Sequence, residues 1–215
     1  MAFTLYYASG SPFSWRVYLA LEHKQAEFST RLVSFDKNEH KTPEFLGISP
    51  RHQVPVITDG GFALYESSAI VEYVEERFPD GPALFPRDVR GRALVRQWIS
   101  EVTAYVEQPV ETLVREIFYK PEPSQRNRAA IADSRSALAR ELDRIEPRLS
   151  GAFLTDALSA ADFTLYPFLA MFPRFERREP DLALAPLIGA KTRAFMERVE
   201  SLPYFQTTYP PHWRT

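Results

Sequence analysis

The sequence predicts a mixed α/β domain followed by an all-helical domain. Over residues 1–80, short apolar runs typical of strands alternate with segments of helical spacing. From residue 89 onwards, apolar residues recur at helical spacing alone. The stretch between them, FPDGPALFPRD, holds three prolines and one glycine, which is typical of a linker. We therefore expect an N-terminal domain over 1–80, a linker over 81–88 and a helical domain over 89–215.

The elements of the first domain follow from local patterns. FTLYY over 3–7 and the alternating run over 28–35 predict strands, and the helical spacing between them predicts a helix over 14–24. TPEFLGISP predicts a short helical turn. VPVIT and FALYE, joined by Asp59-Gly60-Gly61, predict a hairpin, after which Ser67 or Ser68 is expected to cap a last helix.

The second domain is expected to be a bundle of helices. Its predicted elements are a long helix over 94–117 with a kink at Pro109, a helix over 131–149, a helix in DFTLYPFLAMF and a last helix over 187–199. DFTLYPFLAMF is apolar on every side, which predicts a helix in the middle of the bundle. Ser159 and Asp162 have the spacing of a capping box, which predicts where that helix begins.

Composition excludes several classes of function. The net charge of -2 favours neither a nucleic-acid partner nor an anionic membrane surface. The absence of cysteine excludes disulfides, thiolate metal sites and thiol chemistry by the protein itself. No two histidines have metal-ligand spacing, so no metal site is expected. The sequence shows neither a signal-peptide pattern nor an apolar run long enough for a membrane span, which favours a cytoplasmic protein.

Hydroxyl side chains crowd two predicted junctions between a strand and a helix. ASGSPFSWRV places Ser9, Ser11 and Ser14 around the first junction, and YESSAI places Ser67 after Glu66 at the second. A helix N-terminus stabilises an anion, and a hydroxyl there can hold one, although serines also cap helices without binding anything. At the second junction, Ser67 would face a carboxylate and Glu66 an ammonium group, as an amino-acid backbone would require.

Between these junctions, His52-Gln53-Val54-Pro55-Val56 opens a strand with a proline. A trans proline would merely begin the strand. A cis Val54–Pro55 bond would instead turn the chain and present the backbone of Val54 to a ligand.

This layout resembles a thioredoxin-like domain, in which Ser11-Pro12-Phe13-Ser14 stands where relatives carry Cys-Pro-x-Cys. The runs QVPVI and ESSAI, followed by an all-helical half, resemble the cytosolic glutathione transferase family over essentially the whole chain. SPFSWRVYLAL is similar to the serine-type pattern of its zeta class.

The resemblance implies an enzyme that uses glutathione as co-substrate, with a role in detoxification. It implies that Ser11 activates the glutathione thiol. The backbone of Val54, with Pro55 cis, would bind the cysteinyl part, and Glu66 and Ser67 would bind the γ-glutamyl end. His52 and Gln53 stand where relatives contact the glycyl or cysteinyl part. A small hydrophobic electrophile would bind the helical domain, and two copies of the chain would form a homodimer.

Several alternatives stay open at the level of sequence. Ser9 and Ser14 are alternative candidates for activating the glutathione thiol. We favour Ser11, because Ser14 stands where a helix cap is expected. Tyr6 and Tyr7, which end the first predicted strand, are further candidates for the same role. A zeta-type isomerase or dehalogenase would use the same glutathione site, but zeta members carry Cys at the position of Phe13. A non-catalytic binding or scaffold protein would keep the fold without needing Ser11.

Overall fold

A computed structural model describes residues 3–214, and their contacts separate into two compact units. Unit 1 extends up to Pro86 and resumes at Leu202, and unit 2 is Arg87–Ser201. The segment from Leu202 onwards is therefore part of unit 1, whereas the sequence analysis grouped it with the helical domain. The reason is aromatic packing, because Trp15 contacts Phe205, Tyr209 and Trp213 with ring centroids 5.5 to 5.8 Å apart.

Unit 1 contains the predicted order of strands and helices. Its elements are β1 (Phe3–Tyr7), α1 (Pro12–His23), β2 (Ser29–Leu32), a 3-10 turn (Glu39–Lys41), α2 (Pro43–Leu46), β3 (Val56–Asp59), β4 (Phe62–Tyr65) and α3 (Ser67–Arg77), and its returning segment adds the short α10 (Phe205–Thr208) and a 3-10 turn (Pro211–Trp213). The strands form one sheet in the order β2-β1-β3-β4, and α1 packs beside α3. This mixed α/β architecture is the predicted thioredoxin-like one.

The register of the sheet brings the three predicted binding segments to one end. β1 and β3 are antiparallel with Tyr6 opposite Val56, and β3 and β4 are antiparallel with Val56 opposite Tyr65. The exit of β1, the entry of β3 and the exit of β4 therefore lie side by side. A buried cluster of Val33, Phe45 and Val56 lies beneath this end.

Unit 2 is all-helical, as predicted. It contains α4 (Val89–Val102), a π turn (Thr103–Glu107), α5 (Gln108–Leu113), a second π turn (Val114–Phe118), α6 (Arg128–Arg148), α7 (Ala160–Leu169), α8 (Phe172–Arg178) and α9 (Ala190–Glu200), with 3-10 turns at Pro123–Gln125, Pro180–Leu182 and Ala185–Leu187. Pro109 lies in α5 between the two π turns. A proline lacks the N–H that an α-helix needs and clashes with the carbonyl four residues earlier, and a wider turn relieves that clash.

Helix α7 is the buried helix that the sequence predicts. Each of its residues is buried, and the capping box of Ser159 and Asp162 is present at its start. Asp162 is fully buried, and its carboxylate accepts hydrogen bonds from the N–H groups of Leu154 at 2.8 Å and Ser159 at 2.7 Å. Among residues 3–214, no helix has the length and apolar character that crossing a membrane requires.

Candidate active site

The first junction is built around Ser11. Ser11 has an extended backbone and is the N-cap of α1, with its Oγ accepting a hydrogen bond from the N–H of Ser14 at 3.3 Å. Pro12 follows as the first helical residue, where its missing N–H costs nothing. The helix therefore begins two residues before the predicted position. Our prediction that Ser14 is the helix cap is wrong, because Ser11 already fills that role.

The three serines of this junction have different surroundings. Ser14 is 1% exposed, and its Oγ accepts a hydrogen bond from the N–H of Ala8 at 3.3 Å. The Oγ of Ser9 is hydrogen-bonded to Nδ1 of His212 at 3.0 Å. Within the described part of the chain, the half-buried Ser11 hydroxyl has one hydrogen-bond partner, and that partner is a donor. The proton of Ser11 is therefore left to donate to a ligand.

Two tyrosines end β1 next to these serines. Tyr6 packs against Phe45, with ring centroids 6.3 Å apart, and carries the guanidinium of Arg31 over its ring. Tyr7 contacts the edge of Tyr18 and lines a cavity beside Ser11. Tyr6 is thus engaged in packing. Tyr7 is the tyrosine that lies nearer the loop Ala8–Ser11, hereafter the serine loop.

The segment before β3 is held by a buried serine. The Oγ of Ser49, which is fully buried, donates to the carbonyl of Gln53 at 2.8 Å and accepts from the N–H of Gln53 at 3.2 Å. The Val54–Pro55 peptide bond that follows is cis. Ser49 thereby fixes the backbone on one side of Val54 while β3 fixes it on the other.

The second junction begins with a strained residue. Glu66 has φ +70, a region that costs a non-glycine residue about 1–3 kcal/mol and that recurs at ligand sites. Its carboxylate is exposed and lies 3.9 Å from the Arg51 guanidinium. Helix α3 begins at Ser67, and its N-cap, Glu66, makes no side-chain capping bond. Neither Ser67 nor Ser68 is therefore the cap that the sequence predicts.

Both of those serines accept hydrogen bonds from Arg16 of α1. Arg16 is 1% exposed, and its Nη1 lies 3.1 Å from the Oγ of Ser67 and 2.9 Å from the Oγ of Ser68. A guanidinium can only donate, so each hydroxyl oxygen accepts and its proton points elsewhere. Arg16 was not among the predicted site residues, although a charged residue beside Val17 on an apolar helix face was a usable signal.

Basic residues gather near Gln53. His40 is buried and stacks on Phe35, with ring centroids 4.2 Å apart. Burial lowers the pKa of His40, and the neighbouring charges of Lys41 and His52 lower it further. Exposed His52 and Arg51 precede Gln53 in the chain. His40 was not a predicted site residue, because nothing local in the sequence places the 3-10 turn near His52.

A cavity of about 50 Å³ adjoins the serine loop. Its lining consists of Tyr7, the loop Ala8–Ser11, two side chains of α1 and the segment 207–211. Ser11 lies in this lining together with Ser9 and Tyr7, the alternative candidates for its role. The cavity is thus separate from the segment that contains Val54 and from the start of α3.

Known proteins resemble this chain over nearly its whole length. Residues 10–77 match the family described as glutathione S-transferase, N-terminal domain, and residues 102–203 match its C-terminal domain. Glutathione S-transferase A of Pleuronectes platessa is 30% identical, with 98% of this chain and 92% of that protein covered.

Solved structures agree with these matches. A glutathione S-transferase from the Antarctic clam Laternula elliptica is 29% identical with a TM-score of 0.79, and covers 100% of this chain and 94% of its own. The holo structure of a bacterial zeta-class maleyl pyruvate isomerase is 26% identical with a TM-score of 0.77, and covers 96% of each chain.

Proposed function

Because this chain belongs to the glutathione S-transferase family, a family of enzymes with glutathione as co-substrate, we propose that Ser11 activates the glutathione thiol. A free cysteinyl thiol has a pKa of about 8.5. The N-terminus of α1 and the Ser11 hydroxyl would both stabilise the thiolate. Lowering the thiol pKa by about two corresponds to about 2.7 kcal/mol in favour of the thiolate.

The thiolate sulfur would then attack an electrophilic carbon. A carbon–sulfur bond forms, and either a leaving group departs with the electron pair or, on an activated double bond, the adjacent carbon takes up a proton. Ser11 supplies a hydrogen bond in this step and forms no covalent bond itself.

The rest of the tripeptide would lie along the end of the sheet that the three predicted binding segments share. The backbone of Val54, beside cis Pro55, would pair with the cysteinyl residue. Ser67, at the start of α3, would hold the γ-glutamyl carboxylate, and the exposed carboxylate of Glu66 would bind its ammonium group. Gln53 and His52 would face the glycyl end, whose carboxylate suits that basic surrounding.

The polarity of the serine hydrogen bonds carries this proposal. Ser11 accepts from the N–H of Ser14, and Ser67 accepts from Arg16. Both hydroxyl protons are therefore available to donate, which is what a thiolate and a carboxylate require. A chain that used these serines only as helix caps would need no buried arginine on Ser67.

Calorimetric titration with glutathione and with S-methylglutathione tests the proposed function, together with conjugation of a chlorodinitrobenzene. We expect both peptides to bind, because the methyl group leaves the tripeptide contacts intact, and we expect turnover with glutathione alone. Binding without any conjugation would refute the thiol activation, and absence of binding by either peptide would refute the whole site.

Ser67→Ala is expected to raise the KM for glutathione about tenfold or more with little change in kcat. A hydrogen bond to a charged group contributes about 1.5–3 kcal/mol, and a contact made equally in the ground and transition states affects KM alone. Steady-state kinetics with varied glutathione measures this change. Ser67→Thr keeps a hydroxyl and is the matched control, and an unchanged KM in Ser67→Ala would remove Ser67 from the site.

We further propose that the cavity beside Ser11 receives the reacting end of a small hydrophobic electrophile. Ligand pockets of drug-sized molecules span about 300–1,000 Å³, so a cavity of this size holds only a few atoms. Trp15 and Tyr209 supply aromatic walls, and Ser11 borders the cavity. A thiolate bound to Ser11 would therefore border the same cavity. The reacting carbon and the sulfur would thus meet at Ser11 in unit 1, whereas the family resemblance implies that the electrophile binds the helical domain.

A homodimer is the assembly that we propose, with a second copy covering exposed apolar side chains. In unit 1, Phe62 on edge strand β4 is 47% exposed and packs on Tyr73. In unit 2, Leu94 of α4 and Tyr105 of the π turn that follows are 53% and 54% exposed. The family resemblance suggests that these two surfaces meet in the dimer, unit 1 of one copy against unit 2 of the other.

Phe62→Ser is expected to raise the Kd of the dimer at least about tenfold, because buried aromatic side chains dominate interface energies. Sedimentation velocity over a dilution series measures this. Leu32→Ser is the matched control, since Leu32 is 54% exposed on β2, the opposite edge of the sheet. An equal effect of both substitutions, or a wild-type monomer, would contradict the proposed surface.

We also propose that the protein works in the cytoplasm. The proposed reaction consumes the reduced thiol form of glutathione, which the cytosolic redox poise maintains. Cell fractionation tests the location, and recovery from an oxidising compartment would contradict it.

A further inference from the structure

The returning segment of unit 1 is anchored on α1. Nε1 of Trp15 donates to Oγ1 of Thr208 at 2.8 Å in a buried hydrogen bond. The Trp15 ring also packs against Phe205 and Trp213. Further along α1, His23 is hydrogen-bonded to the hydroxyl of Tyr204 at 2.8 Å. The segment therefore has a firm attachment that does not depend on the serine loop.

The last turn of this segment lies directly over the serine loop. Nδ1 of His212 is 3.0 Å from Oγ of Ser9. Gly10 has φ +84, and a Cβ at this position would lie 3.1 Å from both the His212 ring and the Trp213 ring. Glycine thus serves two purposes here, because it permits the positive φ and the close approach of both rings.

Hydrogen bonds also hold the loop at the exit of β1 and at the start of α1. The N–H of Ser11 donates to the carbonyl of Ala8 at 3.2 Å, and the N–H of Ala8 donates to Ser14. These bonds fix the two ends of the loop. In between, the hydrogen bond between Ser9 and His212 ties the middle of the loop to a residue that is 203 positions away in the chain.

We infer that His212 is a positioning residue for thiol activation. Through its hydrogen bond with Ser9, it holds the Ser11 hydroxyl in position. This inference rests on the proposed function of Ser11. A hydrogen-bond donor to a developing anion must be placed closely, and a shift of about 1 Å can cost about 10²-fold in rate. His212 is exposed, so replacing its side chain leaves no cavity.

The pKa of the bound glutathione thiol, titrated by ultraviolet difference absorbance, is the readout for His212→Ala. A neutral hydrogen bond contributes about 0.5–1.5 kcal/mol, which bounds the expected rise in thiol pKa at about one. At a pH below both pKa values, the thiolate fraction then falls up to about tenfold, and kcat falls with it. His212→Asn, which retains a polar atom close to the position of Nδ1, is expected to restore most of the wild-type pKa.

A double-mutant cycle separates positioning from a general loss of structure. Ser9→Ala should raise the thiol pKa as much as His212→Ala does, and the double variant should add nothing further, because one hydrogen bond is removed in each case. His23→Ala is the matched control, since it removes another tie between α1 and the same segment. It should lower the thermal stability and leave the thiol pKa at the wild-type value.

The outcomes distinguish this inference from the function on which it rests. A wild-type thiol pKa equal to that of free glutathione would overturn the proposed function itself. A lowered wild-type pKa that His212→Ala leaves unchanged would overturn only the role of His212. Additive effects of Ser9→Ala and His212→Ala, or an equal rise in His23→Ala, would likewise refute positioning through Ser9.

Discussion

Ser11→Ala is expected to lower kcat/KM about 10²-fold, with most of the loss in kcat. Removing one positioned donor to a developing anion typically costs about 10²–10³-fold. Ser11 has the hydroxyl whose proton is uncommitted, whereas Ser14 is buried and Ser9 is hydrogen-bonded to His212. Conjugation rates at saturating electrophile, measured over a range of glutathione concentrations, give kcat and KM separately.

Ser11→Thr is the control for this substitution, because it keeps a hydroxyl and a competent N-cap. It is expected to retain most of the activity. The fold should survive Ser11→Ala, since losing an N-cap costs about 1 kcal/mol. An undiminished kcat in Ser11→Ala would assign thiol activation to the helix N-terminus alone or to Tyr7.

Asp162→Ala is expected to lower the free energy of unfolding by about 3 kcal/mol. The substitution removes the capping box of α7 and leaves the N–H groups of Leu154 and Ser159 buried without an acceptor, at about 1–3 kcal/mol for each such group. For a chain of this size, the melting temperature should fall by about 6–12 °C. Thermal and urea unfolding at pH 7.5 measure both quantities.

The same carboxyl gives the stability a defined pH dependence. Burial raises the pKa of Asp162 to about 7, while the hydrogen bonds on its oxygens oppose that rise. The folded protein thus binds the proton more tightly than the unfolded chain, in which the pKa is about 3.9. The part of the stability that depends on this proton is therefore fully present below about pH 4 and is lost as the pH rises through 7, whereas the capping hydrogen bonds to the carboxylate persist above that pH.

Asp162→Asn cannot titrate and should lack this contribution. The difference in unfolding free energy between wild type and Asp162→Asn, followed from pH 5 to pH 8, should favour the wild type more at the acidic end. A difference that stays constant over this range, or that grows towards alkaline pH, would contradict the raised pKa.

The fold was predictable where the signal is local. The order of strands and helices in unit 1 follows from periodicity and from the hairpin turn, and the buried helix α7 follows from its apolar faces and the spacing of Ser159 and Asp162. The site residues at the two junctions were proposed because hydroxyls stand next to helix starts. Each of these features is read from a window of at most about 18 residues, which is the range over which a sequence pattern is informative.

The remaining features depend on contacts between distant residues. Two serines near Pro12 both fit a helix cap, and the sequence favoured Ser14 for that role, whereas the structure has Ser11 as the cap. Arg16 meets Ser67 only because α1 and α3 are neighbours, and Ser9 meets His212 only because the last segment returns to unit 1. Such pairings produce no periodic pattern in the sequence. Each of them nevertheless contacts a residue that the sequence did indicate, Ser67 in one case and Ser9 in the other.

The pKa of the thiol of bound glutathione, in the wild type and in Ser11→Ala, is the quantity that tests the role of Ser11 most directly. Titration of thiolate absorbance against an S-methylglutathione blank measures it directly. In the wild type, we expect the pKa of the bound thiol to lie about two below that of the free thiol. In Ser11→Ala, the pKa should return most of the way to that of the free thiol. A bound thiol with the free pKa in the wild type, or a lowered pKa that Ser11→Ala leaves in place, would contradict the claim that Ser11 activates the thiol.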